Sequence, residues 1–243
     1  MAIPIRWNLK NPDRYTVNEI SFEHEIPIPV AAVCANRELD TVEKIVDFCD
    51  LGYHRLHDPF LLPDMEIAVN RVISAINSNE HIHVHGDYDV DGITASAVII
   101  HTLRKLKANI TYQIPHRIND GYDIQEDTVE RAKLDNVDLL ITVDCGILAF
   151  KAAEKAKELG IDLIITDHHL PNINGKIPEC IAVINANRKD STYPFKDLAG
   201  VGVAFKFMTA LWTRLFPEKD IIAFSNEVIE FVALGTVELF LFL

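Results

Sequence analysis

The sequence predicts an α/β fold, a doubly wound and mostly parallel sheet flanked by helices, and three observations predict it. Segments such as "VDLLITVD" (137–144) and "IDLIITD" (161–167) are apolar on both strand faces, as strands buried within a parallel sheet are. They alternate with segments of helical period, which suits crossover connections. Aspartates and histidines stand at the ends of these strand segments, on the edge where such sheets bind ligands.

Taken in order, residues 1–63 mix short helical patterns such as "LDTVEKIVDFCDLG" with loops and are expected to form an N-terminal extension leaning on a main domain at 64–243. Regularity begins with "DMEIAVNRVISAI", whose apolar residues at 67, 68, 72, 73 and 76 make one buried helical stripe. A strand is expected at 81–86, a helix over "ITASAVIIHTLRKLK" and a strand over "NITYQIP". The helix "IQEDTVERAKL", the strand 137–144, the helix "LAFKAAEKAKELG" closing on Gly160, the strand 161–167 and the strand "CIAVINAN" follow, with a further helix at 203–216.

Composition sets the outer limits. With 243 residues and 49% hydrophobic content the chain can bury a sizeable core. The net charge of -13 excludes a generally basic surface that holds nucleic acid by phosphate neutralisation alone. An acidic excess gathered at a metal site still presents positive charge to a phosphate. Cys34, Cys49, Cys145 and Cys180 are scattered without a C-x-x-C pair, so neither a disulfide framework nor a zinc knuckle is expected, and the thiols read as reduced. The N-terminus lacks a signal-peptide layout and no apolar run is long enough for a membrane span, which leads us to expect a cytoplasmic protein.

The stretch "HVHGDYDVDG" places Asp87, Asp89 and Asp91 on alternate residues beside His83 and His85. Like charges so close oppose folding unless something positive sits among them. Asp144 and Asp167 with His168 end the next two central strand segments, so all three groups are expected to converge on one edge. A single such aspartate is as readily a helix cap or turn residue; three sites on one edge are not. Carboxylates with one or two imidazoles suit Mg²⁺ or Mn²⁺, and two such ions about 4 Å apart activate water for attack on a phosphoryl group.

At "DYDVDG", "TVDCG" and "TDHH" the sequence resembles the DHH phosphoesterase superfamily, the last motif being Asp167, His168 and His169. "LHDPFLLPDMEIAV", "YQIPHRINDGYD", "VINANR" and "LAGVGVAFK" also look like its bacterial RecJ single-stranded-DNA exonucleases, so the likeness runs over nearly the whole chain. The resemblance implies Mn²⁺ or Mg²⁺ in a two-metal site, with His85, Asp89, Asp91, Asp144 and His168 as ligands and Asp87 supporting them. His169, with Asp167, would then act at the scissile phosphate. It further implies 5′→3′ hydrolysis of single-stranded DNA in repair and recombination, and contact with single-strand-binding protein; we expect a monomer.

Arg117 is a candidate phosphate contact, with a surface ion pair as its plain alternative, and His116 is a weaker one. Gly200 and Gly202, ahead of the 203–216 helix, offer backbone N–H groups to a phosphate or simply make a tight loop. Cys145 is expected to pack behind Asp144, and Phe195, Phe205, Phe207 and Trp212 to serve packing rather than base stacking. A small-molecule phosphohydrolase using the same metals and a non-catalytic scaffold are the other classes considered.

One departure stands out. RecJ-like proteins follow "ALGT" with an apolar residue, a small residue and a metal-bridging Asp, where this chain has Val237, Glu238 and Leu239. If extended, the segment would turn Glu238 to the wrong face. The uncharged "LFLFL" ending reads as truncated or frameshifted and, as a strand edge, as prone to aggregate. A catalytic-domain fragment with impaired activity is the resulting expectation.

Overall fold

The structure, a computed structural model, describes residues 8, 10–50, 52–116 and 123–241. Its contacts divide the chain into Met1–Leu56 and His57–Leu243, so the division falls seven residues ahead of the expected boundary at 63/64. Among the described residues, the first unit contains three α-helices, α1 (Arg14–Glu23), α2 (Ile28–Asn36) and α3 (Val42–Cys49), around a small core of Val17, Ile20, Ala31 and Ile45. Side-chain caps begin two of them: Asp13 accepts from Thr16 N–H and Thr41 from Lys44 N–H.

The second unit is built on five parallel strands, β1 (Ile82–Gly86), β2 (Ile110–Gln113), β3 (Leu139–Val143), β4 (Asp162–Thr166) and β5 (Ala182–Ile184), in the order β2-β1-β3-β4-β5. Its helices are α4 (Met65–Asn77), α5 (Val90–Lys105), α6 (Glu126–Leu134), α7 (Phe150–Leu159), α8 (Gly200–Leu215), α9 (Ile221–Asn226) and α10 (Ile229–Leu241). Period-two alternation along β3 explains the layering. Leu139, Ile141 and Val143 join the core made with α4, α5 and α8, while Leu140 joins the core made with α6 and α7. Helices on both faces make the sheet doubly wound, as the sequence predicts.

Strand order reverses between β1 and β3: the chain runs outward from β1 to β2, then returns past β1 to β3, β4 and β5. Register pairs Gly86 with Val143 and Val143 with Thr166, so the three strands end level. The residues that follow them share one edge, at the topological switch point where open α/β sheets bind ligands.

Two segments differ from expectation. α8 begins at Gly200, three residues early, because the Gly-Val-Gly run is itself the first helical turn. Residues 229–241 are helical and not extended, so they present no strand edge and the aggregation argument loses its basis. Their composition suits a strand, but contacts with α5 and α8 override that local preference. Among the aromatics, Phe205, Phe207 and Trp212 are core residues, whereas Phe195 is 45% exposed and packs less than expected. Among the described residues, no helix is long and apolar enough to cross a membrane.

Candidate metal centre

The loop after β1 carries three carboxylates in three different settings. Asp89 is exposed at the N-cap of α5 and accepts from Gly92 N–H at 2.9 Å. Asp87 is buried and accepts from Tyr88 N–H at 2.7 Å. Asp91, buried in the first turn of α5, accepts from Gly200 N–H and Val201 N–H, each at 2.7 Å. The start of α8 therefore holds Asp91, and the amide of Gly200 is not open to a phosphate as the sequence suggested. Gly202 lies inside the helix against Leu198.

Gly200 has a different purpose. A Cβ at that position would overlap the Asp144 carboxylate, so only glycine lets α8 start this close to the tip of β3. Gly235 of α10 plays a similar part, since a Cβ there would overlap Thr94 Oγ1 and come within 3.2 Å of Asp91 Oδ1. Glu238, half-buried and three residues on, shares that side of the helix. One residue of offset rotates a side chain by about 100° in a helix, not the half-turn of a strand, so the face-flipping argument against Glu238 fails.

Asp144 follows β3 with a left-handed φ of 62°, and the turn is closed by Thr142 Oγ1–H donating to Cys145 O at 2.8 Å. Cys145 is buried behind it, and burial pushes its thiol well above the usual range, so it is no nucleophile. Asp144 is 1% exposed, and its Oδ1 lies 3.3 Å from His168 Nε2 without hydrogen-bond geometry to any donor. Burial first, then the charges of Asp91, Asp167 and Asp89, raises its carboxyl well above the ordinary value. Burial likewise raises Asp87 and Asp91.

After β4, Asp167 is saturated. Its Oδ1 accepts from His168 N–H at 2.7 Å, His169 N–H at 3.0 Å and His169 Nδ1 at 2.8 Å, and its Oδ2 accepts from Ile147 N–H at 2.9 Å. Burial works to raise this carboxyl, but the bond and charge of His169 with the surrounding N–H groups outweigh it, and the net shift is downward. The same bond to Asp167 raises His169. The bond from Nδ1 to Asp167 fixes the orientation of the His169 ring.

Ligand atoms of Asp87, Asp89 and Asp144 lie within 4.8 Å of one another, as do those of Asp144, His168 and His169. The two groups share Asp144, and His168 Nε2 is also 3.7 Å from Asp91 Oδ2. Asp144, the residue common to both groups, has a buried Oδ1 without a hydrogen bond, and this fits a divalent cation, because a buried acceptor without a donor is costly otherwise. His85 is buried in β1 at the same edge but belongs to neither grouping. His116 is exposed beyond β2, and Arg117 lies outside the described residues.

Three groups escaped the sequence reading. Asp123, at a left-handed φ of 68°, is raised to about 6 by burial and by the charges of Asp167 and Asp87, which puts it beside the cluster. Asn185 and Asn187, just past β5, donate to the carbonyls of His169 and His168. Both asparagines lie in the "VINANR" stretch and Asp123 ends "YQIPHRINDGYD", but neither stretch marked them as site residues.

Residues 81–236 match the model of the DHH family, N-terminal domain. The chain is 38% identical over 237 residues to the single-stranded-DNA-specific exonuclease RecJ of Bacillus subtilis, covering 98% of this chain and 29% of that protein. It is 42% identical over 184 residues to the Escherichia coli enzyme of the same name, covering 72% of this chain and 31% of that one. The chain thus spans about a third of the length of these relatives. A crystal structure of exonuclease RecJ bound to manganese is similar at TM-score 0.65 and 32% identity, over 72% of this chain and 43% of that one. A crystal structure of Thermus thermophilus RecJ in complex with Mn²⁺ is similar at TM-score 0.70 and 27% identity, over 94% of this chain and 31% of that one.

Proposed function

Because the chain belongs to the DHH family, we propose that its cluster holds two Mn²⁺ or Mg²⁺ ions and hydrolyses phosphodiester bonds of single-stranded DNA. The observation that carries this reading is the Asp144 oxygen, buried without a hydrogen bond where the two ligand groups meet. Asp87, Asp89, Asp91, Asp144 and His168, with His85 at the same edge, are the residues that would hold the ions. Bound there, the ions supply an activated water and stabilise charge on the phosphoryl group.

The rest falls to the chain itself. His169 presents Nε2 toward the phosphate or the leaving oxygen, held by its Nδ1 bond to Asp167. With its pKa raised by Asp167, that imidazole is better able to carry the proton a departing 3′ oxygen needs. Asp167, whose Oδ1 accepts from the His169 ring, acts in this reading as a positioning residue for that imidazole. Arg117 and His116 are proposed as phosphate contacts from the loop after β2.

By likeness to the RecJ enzymes, the activity proposed for the whole protein is 5′→3′ exonuclease action in repair and recombination. It would be cytoplasmic, monomeric and in contact with single-strand-binding protein. The test is release of mononucleotides from 5′-labelled single strands in Mn²⁺, with pyrophosphate, cyclic dinucleotides and short oligonucleotides as competitors. Release that Asp144→Asn abolishes supports the reading. Preference for a small substrate, or calorimetry showing no Mn²⁺ binding, overturns it.

A further inference from the structure

Successive residues of an extended strand project to opposite faces. His168 and His169 do not: their ring centroids lie 4.4 Å apart, with planes inclined by 51°. To bring both rings to one side the chain leaves strand geometry after Thr166, and Asp167 N–H donating to Ile184 O at 3.1 Å is the last rung of the ladder with the neighbouring segment. The carbonyls of the two histidines have thereby lost their strand partners, and carbonyls so placed need others.

The segment after β5 supplies them from side chains. Asn187 Nδ2 donates to His168 O at 2.6 Å and Asn185 Nδ2 donates to His169 O at 2.9 Å. The two amides are linked, because Asn187 N–H donates to Asn185 Oδ1 at 2.7 Å. Asn185 is fully buried. Each bond pins one peptide plane. Asn187 fixes the plane between the histidines, and Asn185 the plane that leaves His169.

We propose that Asn187 and Asn185 are positioning residues that aim the histidine pair, Asn187 directing His168 toward the Asp144 and Asp91 carboxylates and Asn185 directing His169 toward the phosphate. This rests on the proposed function of the centre. Turning the first plane moves the His168 ring, whose Nε2 stands 3.3 Å from Asp144 Oδ1. Turning the second moves the His169 ring against its bond to Asp167. The two asparagines therefore have separable effects, one on metal affinity and one on turnover.

The test compares the full chain with Asn187→Asp, Asn187→Ala, Asn185→Asp and Asn185→Ala, reading Mn²⁺ affinity by calorimetry, kcat and KM on a 5′-labelled oligonucleotide, and Tm. The aspartates keep the size and acceptor oxygen but remove the donor. Both Asn187 variants are expected to weaken Mn²⁺ by about 10–100-fold, the usual cost of losing a group that orients a metal ligand. Both Asn185 variants are expected to bind Mn²⁺ within about threefold of the parent and to lose about tenfold or more in kcat. Asn187→Ser supplies the affinity reading if the larger changes prevent folding. Variants that lower Tm yet match the parent in Mn²⁺ affinity and kcat overturn the inference while leaving the metal centre standing. A parent that binds no Mn²⁺ ends both readings.

Discussion

Asp144 at the tip of β3 and Asp167 at the tip of β4 end neighbouring strands and are each 1% exposed, yet their surroundings differ in kind. Asp167 receives four donors across its two oxygens, and its carboxyl is held below the ordinary value. Asp144 has an oxygen with no hydrogen bond, three like charges acting on it, and a carboxyl raised well above that value. Burial alone does not say what a carboxylate is for; the donors around it do. One of these tips has its hydrogen bonds filled by the chain, and the other keeps an oxygen without a hydrogen bond near the His168 imidazole, which is the setting the proposed cation would fill.

The largest effect that would break this contrast is catalytic. Asp144→Asn removes the charge shared by the two ligand groups, and turnover in Mn²⁺ is expected to fall by at least about 10³-fold, roughly 4 kcal/mol of transition-state stabilisation. The metal-free Tm should be unchanged or higher, since repulsion is relieved; activity within tenfold of the parent would sink the assignment. Asp167→Ala should show the reverse emphasis. With three backbone N–H donors and a partly charged imidazole left unpaired, it is expected to destabilise the fold by about 3–5 kcal/mol in denaturant melts, with or without metal.

Smaller effects sharpen the same contrast. Gly200→Ala forces a methyl group against Asp144 and should cost about 1–3 kcal/mol while weakening Mn²⁺ binding, both readable in melts with and without the ion. The response to pH is subtler. Raised groups such as Asp144, Asp91, Asp87 and Asp123, the last at about 6 against 3.8, contribute most below their unfolded value, and the contribution is lost as pH rises through the folded one. Asp167, being lowered, acts oppositely and is already at full effect above about pH 5. In chelator, Tm should therefore fall between pH 5 and 7.5, on the order of 5 °C, and Mn²⁺ should restore it most at the upper end. A metal-free Tm that climbs over that interval would contradict the account.

The strands were legible because buried parallel strands leave long apolar runs: the segment expected at 161–167 is β4 at Asp162–Thr166, and that at 137–144 is β3 at Leu139–Val143. The convergence of Asp87–Asp91, Asp144 and Asp167 was legible for the same reason, since strand ends in one sheet share an edge. What could not be read is how each carboxylate is served. That Asp91 takes its donors from Gly200 and Val201 depends on a contact more than a hundred residues away, which no local pattern encodes. Whether the segment around Glu238 is extended stayed open in the sequence because an apolar run fits either period, and packing of 229–241 on α5 and α8 decides for the helix.

The level ending of β1, β3 and β4 and the anchoring of Asp91 by α8 have a kinetic corollary. Residues separated by over a hundred positions must all be in register before the cluster exists, and such nonlocal closures are slow. On the proposed reading, partly folded chains would lack the cluster, and ion binding would lag behind the formation of helices and report when the last piece of the architecture has docked.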